Sequence, residues 1–147
     1  MTSWRLVSPE PRDRGASTLE MAILAPVLLM MIGMAVVAMR IQVADQAVEA
    51  AAHDAARAAS ISRTQSEAQQ SSLDAALNQL RQQGLNCNPT VTPDTSQFGR
   101  PIGETAVVTV TVVCDVSLSD LGLPGVPGHK AITATFTSYL DQFRGRS

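Results

Sequence analysis

At 147 residues, with 45% hydrophobic but only 3% aromatic side chains, the chain has room for one modest domain plus an anchor, and two large domains are excluded. Its 11 basic and 13 acidic residues give a net charge of −2, which offers no electrostatic basis for nucleic acid or a broad anionic surface as partner. The apolar residues crowd between Met21 and Ala59, so the average composition conceals a strongly apolar segment.

The first 15 residues form a hydrophilic leader with Arg5, Arg12 and Arg14. Between it and the apolar run lies Gly15-Ala16-Ser17-Thr18-Leu19-Glu20. A carboxylate at the boundary of a membrane helix is costly unless it has a partner or a role. The plainer reading makes Ser17 an N-cap and Glu20 the acid of a capping box.

No charge occurs between Glu20 and Arg40, and the helix from Met21 to Met39 spans about 28 Å, close to the ~30 Å of a hydrocarbon core. Pro26 and Gly33 are poor choices in a soluble helix but are common in membrane helices, and a kink is expected at Pro26. The leader arginines, set against Asp45 and Glu49 beyond the span, favour a cytoplasmic N-terminus and an extracytoplasmic C-terminal part. Arg40 weakens that asymmetry but can snorkel at the far boundary. The competing reading is a secretory signal peptide cleaved after Ala35 or Ala38, although such apolar regions usually run to only about 7–15 residues.

Past Arg40 the pattern becomes one-sided. Val43, Ala44, Ala47, Val48, Ala51, Ala55 and Ala58 recur at helical steps, while Gln42, Asp45, Glu49, Asp54 and Arg57 occupy other faces. The membrane helix is therefore expected to continue over 40–60 as a stem. Its small-residue face suits packing against other subunits or being covered by this chain's own C-terminal domain.

A hydrophilic leader ending in Gly, then Glu five residues on, then a long apolar helix resembles the processing site of type IV prepilins. The stretch from Arg14 to Ser60, with Gly15, Glu20, Pro26, Ala51, Ala52, Asp54, Ala55 and Arg57, is similar to TadE-like proteins, the minor pseudopilins of tight-adherence (Flp) pilus systems. The resemblance implies cleavage by a prepilin peptidase between Gly15 and Ala16, leaving Glu20 as the fifth residue of the mature chain. It also implies, as partners, that peptidase, other pilin-like subunits, the Flp pilin and an inner-membrane assembly platform. Met21 stands where the main Flp pilin usually has tyrosine, and the chain carries an extra domain; both features fit a minor subunit better than the chief fibre protein.

The remainder, 61–147, reads as a small extracytoplasmic domain. Thr64-Gln65-Ser66-Glu67 is a capping box and Gly84 a helix stop, with Ala68, Leu73, Ala76, Leu77 and Leu80 as the expected core stripe. Alternation over Thr105 to Ser117 predicts a half-buried strand with Ala106, Val108, Val110, Val112, Cys114 and Val116 on one face. A second strand is predicted from Ala131 to Tyr139, antiparallel to the first, and Leu85 to Val91 is a candidate third strand carrying Cys87. Leu121, Leu123 and Val126, among the turns at Pro124-Gly125 and Pro127-Gly128, make the connection over 121–129 unusually apolar. It suits either a partner-docking tip or a segment folded back on its own domain.

The fold class is thus α+β: a single-pass transmembrane helix continuing into a stem, then a second helix and a two- or three-stranded antiparallel sheet. In an oxidising compartment Cys87 and Cys114 are a good disulfide candidate; two separate buried thiols are the alternative. His53 and His129 lack metal-ligand spacing, and no nucleophile elbow, P-loop or dinucleotide fingerprint occurs. No catalytic residue, metal or cofactor is expected. The leading functional expectation is a structural pilin-like subunit; the alternatives are an uncleaved membrane protein with a binding or adaptor domain, and, last, a membrane-tethered enzyme.

Overall fold

Helix α1, Arg14–Ile61, passes through Pro26 without interruption. The computed structural model describes the backbone of residues 14–19 and all atoms of 20–101, 103–117 and 128–141. The leader residues 1–13 and the apolar connection over 118–127 lie outside these. The chain divides into two compact units, with the second running from Val37 to Ser147.

Within the second unit, α1 buries one broad face: Ala44, Ala47, Val48, Ala51, Ala52, Ala55, Ala56 and Ala59 are all nearly inaccessible. Alanine serves twice here, because it is the strongest helix former and its short side chain lets neighbouring elements approach the helix closely. These residues share one apolar cluster with α2 and the sheet, so this chain's own domain covers the stem. The covered face is rotated from the expected one. Val43 is 59% exposed and Ala58 half-buried, while Ala52, Ala56 and Ala59 are inside.

Helix α2, Gln65–Gln82, begins where the sequence places it. Thr64 Oγ1 accepts the Glu67 N–H at 3.2 Å, and Glu67 Oε2 reaches back to accept the Arg63 N–H at 2.9 Å. At the other end Gly84 takes φ of 71°, and the Leu85 and Gly84 N–H groups donate to the carbonyls of Leu80 and Arg81. This is a Schellman stop, which needs the left-handed conformation glycine adopts without strain. The buried stripe is Ala68, Ser72, Ala76 and Leu80, a strict four-residue step. Leu73, expected inside, is 40% exposed, because that step brings Ser72 to the inner line instead. The Ser72 hydroxyl is satisfied locally by donating to the Gln69 carbonyl at 2.9 Å.

The sheet has order β1-β2-β3, all antiparallel, with β1 Thr90–Asp94, β2 Val107–Ser117 and β3 His129–Tyr139. The central strand keeps the expected alternation, with Val108, Val110, Val112 and Cys114 fully buried. Val110 lies opposite Phe136, Val112 opposite Ala134 and Cys114 opposite Ile132. On the outer face the hydroxyls of Thr109 and Thr137, and of Thr111 and Thr135, pair at 2.9 and 3.0 Å. The third strand starts later than Leu85 to Val91: Cys87 and Pro89 precede it, since the Schellman turn occupies Leu85 and proline has no N–H for the ladder. Pro93 is accommodated because β1 is an edge strand.

Cys87 is nevertheless brought to the sheet. It forms a disulfide with Cys114, with Cα atoms 5.9 Å apart across a sequence separation of 27. Phe98, missed as a core residue, is 4% exposed. The turn that carries it is fixed by Asp94 Oδ1 accepting the Ser96 N–H and by Gln97 Oε1 accepting the Val107 N–H, both at 3.0 Å.

Candidate assembly helix

The chemistry of the N-terminal region is that of a surface without protein cover. Twelve large apolar side chains between Met21 and Met39 are exposed, among them Met21 at 71%, Leu29 at 69% and Met39 at 69%. Leaving them in water would forfeit on the order of 20 kcal/mol of burial energy, more than the ~5–15 kcal/mol that holds a domain together. The stretch is long and apolar enough to cross a membrane, and little of its most apolar part is buried. A hydrocarbon solvent removes the cost, and the helix satisfies its own backbone there. A single-pass membrane protein fits both the sequence and the fold.

Glu20 stands exposed at the upstream edge of this surface. Gly15 and Ala16 lie in the first turn and a half of α1, so that Glu20 stands four positions after Ala16 in continuous helix. That spacing places the two positions on one helix face.

The other sequence-derived positions serve the domain. Cys87 and Cys114 are joined, which leaves no thiol for metal or redox chemistry. His53 rests on α1 with Nδ1 3.3 Å from Asp54 Oδ1, its ring edge-on to Phe136 at 4.5 Å between centroids. It therefore contributes to the seam between stem and sheet. Among the described residues no three His, Cys, Asp or Glu side chains gather as a metal-ligand set. The Asp94 carboxyl is held below its ordinary range, first by the backbone N–H of Ser96 and then by its hydroxyl. That is the signature of a turn cap.

One feature escaped the sequence entirely. A groove of about 520 Å³ is lined by Met39, Arg40 and Val43 of α1, by Leu85 just beyond α2 and by Val116 of β2. Its walls come from three separate elements, and no periodicity in any one of them signals a cavity.

Comparison with known proteins bears on the helix alone. No curated protein and no solved structure matches the chain. Residues 15–57 match the family model described as TadE-like protein, and the match starts at Gly15, runs through Glu20 and the apolar span, and ends in the alanine-rich stem. That family is one of pilus-associated, pilin-like proteins, and the likeness covers the anchor and stem alone. The chain thus carries, from Gly15 through Arg57, a TadE-like segment.

Proposed function

We propose that this protein is a minor pilin-like subunit of a tight-adherence pilus system, cut by a prepilin peptidase between Gly15 and Ala16 and assembled through its N-terminal helix. The observation that carries the proposal is the coincidence of three features at one edge: Gly15, Glu20 four residues after the new terminus, and an exposed apolar helix immediately beyond. The leader arginines keep the N-terminus cytoplasmic, and the unit from Val37 onward is delivered outside the membrane. There an oxidising compartment suits the Cys87–Cys114 disulfide.

In this role the chain hydrolyses nothing. Its work is recognition in lipid, where the Ala16 ammonium of one subunit meets Glu20 of the next as helices pack side by side, and where a charge pair screened from water is strong. The peptidase, other pilin-like subunits, the Flp pilin and an inner-membrane platform are its partners. Replacement of Glu20 by Gln tests the pairing. The variant is expected to insert in the membrane and be cut normally but to be missing from sheared pili and from crosslinked subunit complexes. Full assembly of Glu20→Gln contradicts the proposed pairing.

A further inference from the structure

The groove beside Met39 lies at a particular depth. Met39 is the last residue of the uncharged run, so the segment that follows it crosses the headgroup zone. That zone adds roughly 6 Å on each side of the hydrocarbon core, which is about four helical residues. Arg40 and Val43 occupy it, and both line the groove. Leu85, presented by the Schellman turn, and Val116 near the end of β2 line it as well. At about 520 Å³ the groove falls within the size range of small-molecule sites.

We infer that this groove is a phospholipid site, taking the glycerophosphate and the first acyl carbons of one lipid of the adjoining leaflet. Three observations select that occupant. Much of the lining is apolar, with Val43, buried Ala47, Leu85 and Val116 among its residues. Among the described residues the lining contains one cation, Arg40, and no carboxylate, which complements a phosphate. Arg40 already makes a contact within the chain, but a guanidinium has five N–H donors and can hold a phosphate as well. Finally, Met39, the last residue of the apolar span and itself 69% exposed, lines the groove. A bound lipid would seat the base of the folded domain on the bilayer surface. The inference depends on the membrane span and not on pilus membership, so the N-terminus of the mature protein does not bear on it.

The test uses the full chain in nanodiscs of phosphatidylethanolamine and phosphatidylglycerol, doped with phosphatidylglycerol bearing a diazirine near the acyl carbonyl. Lipid surrounding the span can label residues 21–39 only, whereas lipid in the groove also labels Leu85 and Val116. Labelling of both regions is expected. Val43→Trp, which fills the groove from its exposed rim, is expected to abolish the domain labels while leaving those on 21–39 unchanged. Arg40→Gln should weaken the domain labels alone. Labels confined to 21–39 in the unmodified chain, or domain labels that survive Val43→Trp, overturn the inference. So does a Val43→Cys variant that crosslinks to a second copy while Leu85 and Val116 stay unlabelled.

Discussion

Thr64 and Gly84 bracket α2, and both act on the backbone. Thr64 satisfies a helix-end N–H that otherwise has no partner, and Thr64→Ala is expected to cost about 1 kcal/mol. Gly84→Ala meets no neighbouring atom, so its cost is conformational: at φ 71° a Cβ adds about 1 kcal/mol of strain. Thermal unfolding checks both, with an expected fall in Tm of about 4–8 °C for each variant at this domain size. Asp94 acts through its charge. A carboxyl held below its ordinary range stabilises the fold at neutral pH and loses that contribution as acid protonates it, below about pH 4. Asp94→Asn should therefore flatten the acid limb of the Tm-against-pH curve and leave its slope above pH ~5 unchanged. An unaltered acid limb would remove the charged cap from the account.

The elements differ in how plainly their sequences announce them. The capping box and Gly84 mark both ends of α2, and strict alternation marks β2, because these signals arise from local backbone chemistry. The faces were less legible. Ser72 takes the inner line of α2 and Leu73 stays outside, since hydrophobicity does not reveal the phase of a short helix when the serine hydroxyl can be satisfied by its own backbone. The alanine stem likewise suited an intermolecular or an intramolecular partner equally, and only the tertiary cluster identifies its cover. That cover makes Ala55→Leu an overpacking change, expected to destabilise the domain by about 1–3 kcal/mol, whereas Ala→Leu at half-exposed Ala58 should fall within about 0.5 kcal/mol. Chemical denaturation distinguishes them; equal tolerance at the two positions would mean that the stem is not packed against its own domain. The disulfide closes a loop long enough to be worth about 3–4 kcal/mol in chain entropy. Reduction of the native protein should lower its Tm by well over 10 °C on that scale. A change of only a few degrees would assign the bridge a minor part in stability.

At the scale of the whole molecule, the apolar helix and the folded domain answer to different solvents. The sequence shows the division at Arg40, where continuous hydrophobicity gives way to a one-sided pattern, and the second compact unit begins nearby at Val37. The groove beside Met39 was hidden because its walls belong to residues far apart in the chain. Gly15 and Glu20 were legible because they stand close together in the sequence, directly before the apolar run, and the TadE-like match spans both. In the proposed role removal of the leader is the decisive step, since only a new terminus at Ala16 supplies the ammonium with which Glu20 of a neighbouring subunit would pair. The most direct measurement is the N-terminal sequence and intact mass of the protein recovered from native membranes. The account predicts a chain that begins at Ala16; a chain that retains Met1, or one that begins near Met39, contradicts it.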